Sequence, residues 1–100
     1  MTKDYVDFIR YSTWKEFENS GQFPGPIPRI FEMIDDDMIL TTQDISELLD
    51  VSGETVRRWC RQNKLRIVAP IGQFRVLGED LKEFVYQWYR KDLVKKANQF

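Results

Sequence analysis

Three features of this sequence predict its fold class: mainly α with a small β-hairpin, arranged as a winged helix-turn-helix with N-terminal and C-terminal helical extensions. Residues 40–64, LTTQDISELLDVSGETVRRWCRQNK, hold two short helical patterns around a tight turn. Residues 65–77, LRIVAPIGQFRVL, add two β-favouring runs about Pro70, Ile71, Gly72 and Gln73, the signal of a hairpin. Glu79 and Asp80 then open a third, longer helix, where acidic residues complement the positive end of the helix dipole. Three segments result. Residues 1–37 form an aromatic-rich helical extension with a Pro-rich linker, 38–85 the winged unit, and 86–100 a continuation of the last helix.

In the first segment, residues 4–11 and 13–20 have the pattern of one bent helix or two short ones. Tyr5, Phe8, Ile9, Trp14 and Phe17 are available for burial, Thr13 and Glu16 are spaced for a capping box, and Gly21 is a stop. Three prolines within residues 23–28, FPGPIP, force extended or turned backbone, and residues 29–34 have room for one more short element. So many aromatics do not suit a free tail. They either cover the winged unit of the same chain or contact another protomer. Asp35, Asp36 and Asp37 are expected to form a solvated acidic linker.

The winged unit begins with Thr41 as N-cap and Asp44 placed to close a capping box, while Ile45, Leu48 and Leu49 share one face. Asp50 ends this helix at a position suited to positive φ, and Val51 is an apolar plug in the turn. Ser52 caps the second helix, with Thr55 at its third position and Glu54 near the positive dipole end. Val56, Trp59 and Cys60 fall together at three- and four-residue spacing and are expected to face inward. Gly53, Glu54, Arg57, Arg58 and Arg61 fall on the other side. One face packs and the other is free to contact double-stranded DNA, although a solvated surface helix would show the same arginines. The hairpin of residues 67–69 and 74–77 forms the wing. In the third helix, Leu81, Phe84, Val85 and Trp88 make one stripe, and Tyr89, Leu93 and Val94 make a shifted one. The first is expected to pack on the helix-turn-helix. The second suits either a partner helix or the N-terminal helices.

On these residues the segment 40–85 resembles the small winged helix-turn-helix domain of the MerR and phage-excisionase superfamily. The resemblance is carried by Leu40-Thr41, Leu48-Leu49, Val51-Ser52, Thr55-Val56-Arg57-Arg58-Trp59, Lys64-Leu65, Phe74-Arg75-Val76 and Asp80-Leu81. It implies that the second helix enters the major groove and that the wing touches flanking backbone or minor groove. Glu54, Arg57 and Arg58 are then base or near-base contacts, and Thr55, Arg61 and Arg75 phosphate contacts. Ser52, Gly53 and Lys64 complete the expected DNA-binding set. The resemblance also implies pairing through long C-terminal helices, hence a homodimer or a multimer on repeated half-sites. Two departures stand out. The wing tip carries Pro70, Ile71, Gly72 and Gln73 in place of the arginines usual there, and Ser46 stands where alanine is common. Ile71 is expected to pack against protein, with a wedge into a groove as the alternative.

Charge points the same way only when it is resolved along the chain. The whole sequence has 15 Lys+Arg against 16 Asp+Glu, a net charge of -1 and pI ≈ 5.4. Between Glu54 and Arg75, however, Arg57, Arg58, Arg61, Lys64, Arg66 and Arg75 face a single acid, so this stretch carries +5. With no histidine and one cysteine, Cys60, the usual zinc ligand sets and Ser-His or Cys-His nucleophiles are excluded. No catalysis, metal or cofactor is expected. Carboxylate pairs such as Glu79-Asp80 are better explained by a helix N-terminus. A lone cysteine and the lack of a long apolar run suit a cytoplasmic protein without a membrane partner. The expected function is sequence-preferring DNA binding by a transcriptional regulator or by an excisionase (recombination directionality factor) of a mobile element. The alternatives are a protein-protein adaptor that keeps the winged fold and uses the N-terminal aromatics and the apolar wing tip, and a DNA-packaging or plasmid-segregation factor that marks a site.

Overall fold

The computed structural model describes residues 11–20, 29–68 and 73–97, with side chains as far as Asp92. Among the described residues there are five helices and two strands. They run α1 (Trp14–Asn19), α2 (Ile30–Met33), β1 (Ile39–Thr41), α3 (Thr42–Leu49), α4 (Gly53–Arg61), β2 (Arg75–Leu77) and α5 (Gly78–Ala97). The fold is a winged helix-turn-helix with helical extensions, mainly α with one small antiparallel sheet. Residues 4–10 of the expected first helix, the stop at Gly21, the proline segment at 23–28, Ala69, and Pro70, Ile71 and Gly72 of the wing tip lie outside the described residues.

The sheet pairs β2 with β1, in the register Ile39↔Leu77, Leu40↔Val76 and Thr41↔Arg75. The β2 run was legible, but its partner is the segment before the helix-turn-helix. Residues 67 and 68 are not a strand; they contribute one bond, from the Val68 N–H to the Arg75 carbonyl at 2.7 Å. The sheet also fixes where α5 starts. The Gly78 N–H donates to the Met38 carbonyl at 2.7 Å and the Glu79 N–H to the Asp36 carbonyl at 3.1 Å. A Cβ on Gly78 would stand 1.8 Å from the Asp35 carbonyl oxygen, so only glycine allows this approach.

Among the described residues a single core joins the helix-turn-helix to the N-terminal extension. Leu40, Ile45, Val56, Cys60, Leu65, Val76, Leu81 and Val85 fill the helix-turn-helix side, and Trp14, Phe17, Phe31, Ile34 and Tyr86 fill the other. Trp14, Phe17 and Phe31 therefore cover α5 of their own chain: Trp14 stacks on Phe31 at 4.3 Å between ring centroids and meets Tyr86 edge-on at 6.0 Å. Polar groups of α5 hold the same segment. Glu83 accepts from the Trp14 N–H at 2.6 Å, the Tyr86 hydroxyl donates to the Tyr11 carbonyl at 2.9 Å, and the Gln87 amide donates to the Ser12 carbonyl. Burial pushes the Tyr86 hydroxyl up to about 12. Thr13 does cap α1, but the Glu16 carboxylate reaches back to the Ser12 N–H and not to that of Thr13.

Two expectations are corrected. Asp36 is no solvated linker residue: it forms an ion pair with Lys82 at 2.8 Å and accepts from Lys15 at 2.9 Å, and Lys82 is only 5% exposed. These two ammonium groups hold the Asp36 carboxyl below its ordinary range. Trp88 leaves the first stripe of α5, which ends at Val85; it is 65% exposed. Of the second stripe, Tyr89 packs against Phe31 of the N-terminal extension; the side chains of Leu93 and Val94 lie outside the described residues. No helix among the described residues is long and apolar enough to cross a membrane.

Candidate nucleic-acid interface

The candidate surface is the outer face of α4, and the sequence builds it from both ends of that helix. Thr41 and Asp44 form a complete capping box on α3, with bonds of 3.0 and 2.9 Å. Asp50 closes α3 in the left-handed region, at φ 55, and the Val51 N–H turns back to the Ser46 carbonyl at 3.1 Å. Ser46 adds a clasp that its small size alone did not suggest: its hydroxyl donates to the Val51 carbonyl at 2.6 Å. The turn between the two helices is thereby fixed. Ser52 then caps α4 by accepting from the Thr55 N–H at 3.1 Å. At the far end Asn63, at φ 59, lets the Lys64 N–H reach the Trp59 carbonyl at 3.0 Å, the six-to-one bond of a Schellman close.

With its ends fixed, α4 turns Val56 and Cys60 into the core, and Trp59 packs on Phe84 at 4.8 Å between centroids. Burial pushes the Cys60 thiol up, away from the reactive thiolate. The opposite face carries Glu54, Arg57, Arg58 and Arg61, all exposed, with Ser52 before it and Lys64 after it, both exposed as well. Gly53 lies beneath the Arg57 guanidinium, which would stand 3.3 Å from an added Cβ. The Thr55 hydroxyl is engaged with that of Ser52 at 2.8 Å, inside the cap.

Electrostatically this face is an interleaved set. Glu54 accepts from Arg57 Nε at 3.2 Å and, through its other oxygen, from Arg61. The two guanidinium groups hold the Glu54 carboxyl below its usual range, the Arg61 hydrogen bond first. Among the described residues Arg58 has no acidic partner. The structure thus brings Ser52, Gly53, Glu54, Thr55, Arg57, Arg58 and Arg61 together on one helix, with Lys64 on the turn that follows. Arg75 lies apart, on β2 opposite Thr41, where its guanidinium donates to the Phe74 carbonyl at 3.2 Å and to Gln73 at 3.4 Å. Arg66 is a further exposed cation in the same basic stretch, and it faces Asp80, whose carboxyl burial pushes up and Arg66 partly restores. Its signal was present in the local charge count. No group of three or more His, Cys, Asp or Glu side chains placed for a metal ion occurs among the described residues.

Comparison with known proteins bears on this geometry. No curated protein and no solved structure matches the chain. A family described as a helix-turn-helix domain matches residues 39–89, just over half of the sequence, from the first residue of β1 to the third turn of α5. That segment holds both capped helices, the turn at Asp50 and the strand after them, in keeping with an excisionase-like domain. The chain belongs to the helix-turn-helix domain family and is a DNA-binding protein of that kind.

Proposed function

We propose that the chain binds double-stranded DNA with sequence preference, with α4 in the major groove and Arg57 and Arg58 at base edges. The observation that carries this reading is the two-faced helix: the inner side of α4 is consumed by the core while Arg57, Arg58 and Arg61 project from a backbone fixed by caps at both ends. A groove of B-DNA admits one such helix, and a bidentate arginine-guanine contact discriminates by about 1–3 kcal/mol. Arg61 and Lys64 attract phosphate, Ser52, Gly53 and Thr55 bring the helix N-terminus close to the backbone, and Arg75 reaches a flanking phosphate from the sheet.

The biological role that fits is a transcriptional regulator or a recombination directionality factor of a mobile element, acting as a dimer or as several copies on repeated half-sites. An adaptor built on the N-terminal aromatics has less to work with, because Trp14, Phe17 and Phe31 are buried against α5. Selection of bound fragments from a random duplex library tests the reading, with wild type and the Arg57→Ala/Arg58→Ala variant run in parallel. A motif enriched by the wild type alone supports it, and the spacing of half-sites separates paired from side-by-side binding. Equal enrichment by both proteins, or none by either, sinks it.

A further inference from the structure

The outer face of α4 contains a carboxylate where a phosphate-seeking surface has least use for one. Glu54 joins the guanidinium groups three and seven residues along the helix, with one oxygen on each. A carboxylate placed only to complement the helix dipole needs no such bridge, and a side chain left in solvent would not span two turns. We propose that Glu54 is a specificity-determining gate: it ties up Arg57 and Arg61 against arbitrary DNA and releases them where a base amino group takes their place. This rests on α4 being the groove-facing helix.

The physical case follows from what each duplex offers. All three side chains are about half exposed, so the ion pairs hold little energy in water and burden the free protein little. Their effect appears when a duplex approaches. On an arbitrary sequence, Arg57 and Arg61 must leave Glu54 to reach phosphates, and the bared carboxylate is then carried into a strongly negative field. On a matching sequence, a cytosine N4 amino group donates to the carboxylate, and both arginines are freed for guanine and phosphate without leaving a charge unpaired. The gate thus raises discrimination by weakening the wrong complexes, and Arg58, which has no acidic partner among the described residues, supplies the contact that needs no release.

Two substitutions separate this gate from simple charge. Glu54→Gln keeps the shape and removes the charge; Glu54→Asp keeps the charge but is one methylene too short to hold both arginines. Affinity of full-length protein for a random-sequence duplex is measured over a salt series, beside affinity for the fragment that the wild type selects, with thermal unfolding as a check of the fold. Glu54→Gln is expected to tighten random-duplex binding about tenfold and to steepen the salt slope by about 1–2, the increment for one or two newly neutralised phosphates. The ratio of selected to random affinity falls with it. Glu54→Asp is expected to shift the same quantities in the same direction, by less. An unchanged ratio and slope in Glu54→Gln overturns the gate, and wild-type behaviour of Glu54→Asp reduces it to plain repulsion and overturns the release step. A wild type that selects no fragment defeats the docking of α4 instead, a different result from either.

Discussion

Single side chains and single backbone atoms set the tightest limits in this protein. Gly78 is the sharpest case, because its Cα faces the Asp35 carbonyl with no room for a methyl group. Gly78→Ala is expected to lower stability by at least about 2–3 kcal/mol, in the range of overpacked core sites, read as a drop in the thermal midpoint. A milder loss of about 1 kcal/mol is expected for Ser46→Ala, which removes the clasp on the Val51 carbonyl. Asp36 makes a prediction in pH. Its folded carboxyl titrates below the unfolded value of 3.8, so its contribution is complete above that value and is lost as pH falls through the folded one. Wild type is therefore expected to lose stability as pH falls below about 4, and Asp36→Asn to show a shallower decline there. If the two curves run parallel, the contacts to Lys82 and Lys15 do not matter energetically. Several residue-scale features were legible: Thr41, Asp44, Asp50 and Ser52 act within five residues of themselves, so spacing suffices. Asp36 and Lys82 were not, because they are 46 positions apart in the chain and only the fold brings them together.

At the scale of elements, the helix-turn-helix pair was read correctly because each helix announces its own ends. The sheet was harder. Ile39, Leu40 and Thr41 are only three residues, they run directly into the α3 cap, and their partner lies beyond two helices. A local hairpin between 67–69 and 74–77 was the nearer solution in sequence, and of it only the Val68 to Arg75 bond is present among the described residues. The N-terminal extension had the opposite problem: its aromatic content was plain, but nothing local told whether it covered its own α5 or another chain. Trp14 now gives that docking a measurable weight. Trp14→Ala removes the ring stacked on Phe31 and is expected to cost about 3–5 kcal/mol in denaturant unfolding. A loss below about 1 kcal/mol would mean that α1 is a loosely held flap, since a packed aromatic cannot be removed so cheaply.

For the molecule as a whole, the charge total was misleading and its distribution was not. A net charge of -1 gives no sign of nucleic-acid binding, whereas +5 between Glu54 and Arg75 does. The structure adds that part of the acidic remainder is occupied internally, since Asp36 is held by two lysines and Glu83 by the Trp14 backbone. One continuous core also predicts one cooperative transition. Trp14 and Trp59 lie on opposite sides of α5, so intrinsic fluorescence and far-ultraviolet circular dichroism are expected to share a midpoint. Separated midpoints would show that the extension and the helix-turn-helix unfold as independent units.

Thr41 serves the sheet as its last paired residue and α3 as its N-cap, with no residue between the two duties. Tolerance to change is therefore of two kinds in this chain. The outer face of α4 can exchange one side chain for another while the backbone stays where it is, which is how such a protein would acquire a new target. An inserted or deleted residue at the 41–42 joint has no slack to absorb it: it would turn the alternating side chains of β1 to the wrong face or pull the cap off α3. Across descendants of this chain, letters on the outer face of α4 can change, and the count of residues from Ile39 to Ser52 should stay constant.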